Sequence, residues 1–92
     1  MAAKAVKIRV TGRVQGVSYR AWAERTATAR GVSGWVLNLP DGAVEMLIQG
    51  EPAAVDALVE KTRCGPSAAR VDALEAEFAA VDPTLSTFHI RS

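Results

Sequence analysis

Alternating apolar and polar residues predict three β-strands in the first part of the chain. Val6, Ile8 and Val10 alternate with polar residues, so one face of the first strand suits a protein core. Val44, Met46 and Ile48 repeat this pattern further along the chain, although Leu47 blurs it slightly. The three predicted strands cover residues 4–11, 33–38 and 44–50.

Two helices are predicted between these strands and after them. Residues 20–30 are rich in alanine and other good helix formers, and Gly31 suits the residue after a helix end. Pro52 suits the first position of a second helix, which Gly65-Pro66 would end. The apolar face of this second helix follows a helical spacing through Val55, Leu58, Val59 and Thr62.

The last third of the chain predicts two more strands. Residues 69–78 favour a strand, but Val71 and Leu74 cannot face one side of a regular strand, so we expect a bulge or bend. Residues 85–91 predict a short edge strand. The order predicts an α+β fold, the ferredoxin-like split βαβ sandwich (βαββαβ plus a short C-terminal strand), with an antiparallel sheet and two helices on one face.

Length and composition limit the classes of function. A chain of 92 residues fits a single domain (residues 1–92), and 49% apolar with 23% charged residues is typical of a globular protein. The net charge of +1 does not favour general nucleic-acid binding, and no apolar run is long enough to cross a membrane. With no apolar signal region near its start, we expect a cytoplasmic protein without nucleic-acid or membrane partners.

The topology brings two separate segments together. In a split βαβ unit the first two strands are parallel, so the loop after Thr11 and the side chain of Asn38 should be neighbours at one edge of the sheet. The loop precedes a helix, whose free N–H groups and dipole favour an anion. Arg20 adds a guanidinium that suits phosphate oxygens, and the Asn38 amide suits the orientation of a water molecule.

Other conspicuous side chains have simpler interpretations. Tyr19 and Trp22 are expected in the core, because aromatic rings dominate the burial available to a small sandwich. Asp41 is read as a turn residue between proline and glycine, and His89 as structural or exposed. Cys64 is the only cysteine, which excludes an intramolecular disulfide. We expect this small side chain to be buried near a helix end.

Two motifs then resemble those of a known family. Gly12-Arg13-Val14-Gln15-Gly16-Val17-Ser18-Tyr19-Arg20 matches every specified position of the acylphosphatase signature Gly-x-Val-Gln-Gly-Val-x-(Phe/Tyr)-Arg. A second stretch resembles the family at its usual spacing: Gly34-Trp35-Val36-Leu37-Asn38, then Gly42, Val44 and Gly50. The similarity continues less specifically through Arg70-Val71 and Phe88-His89-Ile90. Leu37 departs from it, since many relatives carry a polar residue there, which bears on a rim contact more than on the chemistry.

The resemblance implies hydrolysis of the carboxyl–phosphate anhydride of acyl phosphates. Arg20 would hold the phosphate, and Asn38 would orient the attacking water. The backbone amides that would complete the cradle are those of Gln15, Gly16, Val17, Ser18 and Tyr19. The resemblance implies no metal and no cofactor, and lets the substrate's own phosphate accept the water's proton. The expected partners are a small-molecule acyl phosphate and inorganic phosphate or a similar anion, bound by a monomer.

Two other functions compete with this one. A non-catalytic anion-binding or regulatory domain would keep the cradle without turnover, since similar domains occur inside larger proteins; Arg20 and Asn38 together favour the enzyme. A ferredoxin-like RNA-binding module would need stacking aromatic residues on its central strands and a basic face. Residues 44–48 offer no aromatic residue.

Overall fold

The described part of the chain has the predicted order of strands and helices. The computed structural model describes residues 3–91, and Met1, Ala2 and Ser92 lie outside it. Within residues 3–91 the elements are β1 (Lys4–Arg13), α1 (Tyr19–Ala29), β2 (Ser33–Asn38), β3 (Val44–Gly50), α2 (Pro52–Thr62), β4 (Arg70–Ala79) and β5 (Phe88–Ile90). The bounds lie close to the predicted ones, except that β5 is shorter than its predicted range. Among these residues, neither helix has the length and apolar character needed to span a membrane.

The sheet has the strand order β4-β1-β3-β2-β5. Both β1 and β2 pair antiparallel with β3, so they are parallel to each other with β3 between them, as predicted. The predicted antiparallel sheet holds for these four strands, because β4 is also antiparallel to β1. The prediction was wrong for β5, which pairs parallel with β2.

The path of the chain explains this parallel pair. β4 ends beside the start of β1, where Ala79 pairs with Ala5, so the chain leaves the sheet at the end where β2 also starts. On the way to the far edge, the Gln49 side chain donates to the carbonyl of Asp82 (2.8 Å) and accepts from its N–H (2.9 Å). The chain therefore enters β5 at the end where β2 begins and runs alongside it in the same direction.

The core lies between the helices and one face of the sheet. The buried cluster combines Val6, Ile8 and Val10 of β1 with the alternating apolar residues of β3 and with residues of both helices, among them Ala23, Ala27, Val55 and Leu58. Each large aliphatic side chain buried in this way contributes about 1.5–3 kcal/mol to folding. The prediction for Tyr19 is confirmed, since only 1% of it is exposed, and Trp22 packs edge-on against its ring.

A bulge interrupts the pairing of β1 with β4, as the sequence predicts. Thr11 pairs with Ala73 but Gly12 pairs with Val71, so Asp72 is the extra residue. Gly12 has a φ of 126°, and a Cβ atom on it would lie 2.2 Å from the carbonyl oxygen of Arg70. Glycine is required at position 12 by this close backbone contact, whatever else the motif does.

The expectation that Cys64 is buried was wrong. Its side chain is exposed, in the turn that follows α2. The last residue of the helix, Thr62, is fully buried, and a residue two positions later points to the opposite side when the chain continues to coil. The Cys64 N–H still bonds to the carbonyl of Lys61, which keeps this turn coiled.

Candidate functional site

The loop between β1 and α1 contains two residues of positive φ close together. Gly16 and Ser18 have φ values of 72° and 63°, while Val17 between them does not have a positive φ. Left-handed residues that alternate with right-handed ones turn successive N–H groups toward one side, as in the backbone nests that bind anions. The side chains of Val14 and Val17 are buried in the core cluster, which anchors the loop while its amides stay outside.

These amides have no partner elsewhere in the described chain. Among residues 3–91, the N–H groups of Gln15 through Tyr19 donate no hydrogen bond to another backbone group. Ser18 caps α1 without a side-chain hydrogen bond, and the first turn of the helix contains no acidic residue. The loop therefore presents free donors at the positive end of a helix dipole, where a negative charge is stabilised.

Arg20 brings a full positive charge to the same place. It is the second residue of α1 and is half-buried. No carboxylate within residues 3–91 forms an ion pair with it, although several other cations of the chain are paired. A half-buried guanidinium with its donors free favours an anion that accepts two hydrogen bonds, such as a phosphate.

Asn38 faces the loop from the end of β2. Its residue position places it on the same face of the sheet as the buried Val36, toward the helices. The side-chain oxygen Oδ1 is buried and accepts no hydrogen bond within the described chain. A buried acceptor that no protein group satisfies, and that belongs to a residue lining a cavity, is available to a water molecule or a ligand.

One cavity of about 210 Å³ joins these groups. It is lined by Arg20, Asn38 and the predicted loop residues Gln15, Gly16, Ser18 and Tyr19, together with Val14, Ala21 and Ile90. Val17 does not line it, since its side chain points into the core. Larger hollows occur beside β4 and α1, but no described residue lining them has a buried polar atom without a partner.

The side chain of Gln15 has a role that the sequence did not indicate. Its amide nitrogen Nε2 donates to the carbonyl oxygens of Leu39 and Ala43, each at 2.8 Å. These two residues belong to the turn that follows Asn38, and the Leu39 N–H bonds to the Ala43 carbonyl. Gln15 thus ties the amide loop to the segment that carries Asn38, across a separation in sequence that no local motif reveals.

Asp41 acts within that same turn, as predicted. Its carboxylate accepts a hydrogen bond from the Ala43 N–H at 3.0 Å and another from the guanidinium of Arg9. The Ala43 N–H, and then the Arg9 hydrogen bond, lower the pKa of Asp41 below its usual value. Asp41 does not line the cavity of Arg20 and Asn38, so it holds the turn and stays apart from the site.

We expect Gln15→Leu to lower both stability and activity. Two part-buried side-chain hydrogen bonds are lost, although both carbonyls keep a backbone donor, which should reduce the free energy of unfolding by about 1–3 kcal/mol. The loop and Asn38 should also lose their alignment, so we expect kcat/KM for the hydrolysis that the resemblance implies to fall by about tenfold or more. Urea unfolding and steady-state kinetics measure the two effects.

Gln49→Leu is the matched control for Gln15→Leu. It removes two hydrogen bonds to Asp82 at the opposite end of the sheet, so it should reduce stability similarly and leave kcat/KM of the folded protein unchanged. If Gln15→Leu also kept the wild-type kcat/KM, the side-chain amide of Gln15 would serve stability alone.

Three comparisons relate this chain to known proteins. Residues 6–90 match the family model Acylphosphatase. A protein called acylphosphatase from Anaeromyxobacter dehalogenans is 53% identical over 87 residues, covering 92% of this chain and 91% of its own. Another from Methylococcus capsulatus is 47% identical over 87 residues, covering 95% of each. The crystal structure of acylphosphatase from Bacillus subtilis superposes with a TM-score of 0.92 at 31% identity, covering 97% of this chain and 99% of its own.

Proposed function

Since this chain belongs to the acylphosphatase family, we propose that Arg20 and the loop amides bind the phosphate of its substrate while Asn38 orients the attacking water. An acylphosphatase hydrolyses the carboxyl–phosphate bond of an acyl phosphate to a carboxylate and inorganic phosphate. The observation that carries the residue assignment is the shared cavity, which joins free amides, an unpaired guanidinium and the unsatisfied oxygen of Asn38 among the described residues.

Phosphate binding follows from the charges and donors of the loop. A phosphoryl group carries oxygens that accept the amides of Gln15 through Tyr19 and the forked donors of Arg20. In the transition state, negative charge spreads over these same oxygens, so fixed donors stabilise it without reorganisation. Inorganic phosphate, which has the same oxygens, should bind at this place as well.

Asn38 positions the attacking water and does not transfer its proton. Its side-chain oxygen accepts a hydrogen bond from the water, which fixes the orientation of a water lone pair toward phosphorus. The water oxygen forms a bond to phosphorus as the bond from phosphorus to the carboxyl oxygen breaks. A carboxylate is a good leaving group and requires no general acid, so positioning and charge stabilisation suffice.

The proton of the water goes to a phosphoryl oxygen in this proposal. The described cavity lining contains neither a carboxylate nor an imidazole that would act as a base near neutrality. The Tyr19 hydroxyl donates to the Thr62 carbonyl at 2.6 Å, and burial raises its pKa far above its usual value, so it stays protonated. A pH–rate profile without an essential enzyme base between pH 6 and pH 8, roughly the physiological range, is expected.

The main alternative is a non-catalytic anion-binding domain of the same fold. Relatives called acylphosphatase are covered over 91% and 95% of their own length, so they resemble this chain as whole proteins. The loop, Arg20 and Asn38 all come from one chain, so we propose that a single domain and a monomer form the complete site.

Hydrolysis of benzoyl phosphate by the wild-type protein tests the function. The assay follows loss of the acyl phosphate with excess chelator present, and we expect rapid turnover that inorganic phosphate inhibits competitively. Binding of inorganic phosphate without turnover would contradict the enzyme and support the non-catalytic domain.

A further inference from the structure

Ile90 lies on the side of the cavity that Asn38 occupies. In the parallel pair of β2 with β5, Ile90 is the partner of Val36, which lies two residues before Asn38 on the same face. The Arg91 N–H bonds to the Val36 carbonyl at 2.8 Å and fixes this register. Both Ile90 and Asn38 line the cavity, so a large apolar side chain shares it with the amide proposed to orient water.

The burial of Ile90 differs from that of its neighbour in β5. Phe88 points to the same side of the sheet and is 6% exposed, whereas Ile90 is 39% exposed. Ile90 therefore stands at the rim of the core, with one part against the cavity and one part in solvent. The oxygen of Asn38, which lines the same cavity, is buried, although the cavity itself opens to solvent.

The reaction geometry decides which reactant Ile90 adjoins. The attacking and leaving oxygens lie roughly in line on opposite sides of phosphorus. If Asn38 orients the nucleophile, the acyl group leaves on the far side, so Ile90 borders the place of the nucleophile. Methanol differs from water by one methyl group, which an apolar wall at this place would exclude by its volume.

We propose that Ile90 determines the specificity for the nucleophile, by leaving room for water beside Asn38 and excluding small alcohols. This inference rests on the proposed function and adds to it a reason why the acyl phosphate is hydrolysed rather than transferred. With an alcohol as nucleophile, its oxygen bonds to phosphorus, the bond to the carboxyl oxygen breaks, and a phosphoryl oxygen takes the alcohol proton. The products are a carboxylate and an alkyl phosphate.

Partition between water and methanol tests the proposal. Wild type, Ile90→Ala and Ile90→Leu are each given benzoyl phosphate in buffer containing methanol, and phosphorus NMR measures methyl phosphate against inorganic phosphate. Ile90→Ala removes three carbon atoms, so we expect about a tenfold or greater rise in the methyl phosphate fraction. Ile90→Leu, which keeps the volume, should retain the wild-type fraction.

Further outcomes separate this proposal from its premise. If the wild type hydrolyses benzoyl phosphate but Ile90→Ala leaves the methyl phosphate fraction unchanged, the role of Ile90 is overturned and the proposed function stands. If Ile90→Ala instead changes only the preference between benzoyl and acetyl phosphate, Ile90 adjoins the leaving acyl group, which also overturns the proposal. Absence of wild-type hydrolysis would remove the proposed function itself. Thermal unfolding of each variant confirms that the comparison is made on folded protein.

Discussion

Arg20→Ala is expected to lower kcat/KM for benzoyl phosphate by about 10³-fold or more. The guanidinium is half-buried beside the free amides of the loop, and among residues 3–91 no carboxylate neutralises it. Its charge is thus available to the phosphoryl oxygens, where negative charge spreads in the transition state. Arg20→Lys should recover only part of the loss, because a lysine is a point charge without the planar fork of donors.

The free energy of unfolding of Arg20→Ala gives a second test of the role of Arg20. Arg20→Ala breaks no ion pair of the described chain, so its free energy of unfolding should stay close to that of wild type. Arg25→Ala is the matched control, since Arg25 lies on the same helix, is exposed and does not line the cavity. Arg25→Ala should keep wild-type kinetics. A value of kcat/KM for Arg20→Ala within tenfold of wild type would contradict phosphate binding by its guanidinium.

The proximity of the loop and Asn38 was predictable because it depends on topology. Once residues 4–11 and 33–38 are read as parallel strands with a third strand between them, their ends must meet at one edge of the sheet. No side-chain detail enters that inference. Local patterns also sufficed for the bulge in β4, since Val71 and Leu74 have the wrong spacing for one face.

Features that depend on distant partners were not predictable from the sequence. The amide of Gln15 bonds to Leu39 and Ala43, which lie 24 and 28 residues away, and the loop motif indicates only its backbone. Likewise, the direction of β5 depends on where the chain crosses the end of the sheet, and a three-residue strand carries no signal for it. The expected burial of Cys64 was wrong because it rested on the usual burial of cysteine, which does not show how the chain turns beyond a helix end.

The site and the fold depend on different residues of one motif. Gly12 is needed because the backbone of Arg70 approaches it within the reach of a Cβ atom, which is a requirement of the sheet. Gly16 has a positive φ with open space around it, so glycine there serves the shape of the amide loop. Val14 and Val17 hold the loop on the core. A single stretch of sequence therefore combines residues that stabilise the sheet, residues that shape the loop and the side chain of Arg20.

Asn38→Ala should separate activity from stability, as Arg20→Ala does. Loss of the amide removes the group that orients the water, so we expect kcat to fall by about 10²–10³-fold with little change in KM. The same substitution removes a buried oxygen that has no hydrogen-bond partner among residues 3–91. The free energy of unfolding should therefore stay close to that of wild type.

Leu37→Ala is the control for Asn38→Ala, because Leu37 precedes Asn38 but faces the other side of the sheet. It should leave kcat unchanged. Measured together, kinetics and urea unfolding distinguish a residue that orients water from one that supports the strand, since a supporting residue lowers stability when it is removed. A fall in stability of Asn38→Ala by several kcal/mol with unchanged kcat would show that its amide holds the end of β2. A large loss of kcat at undiminished stability would show that the amide of Asn38 serves the reaction and does not support the strand.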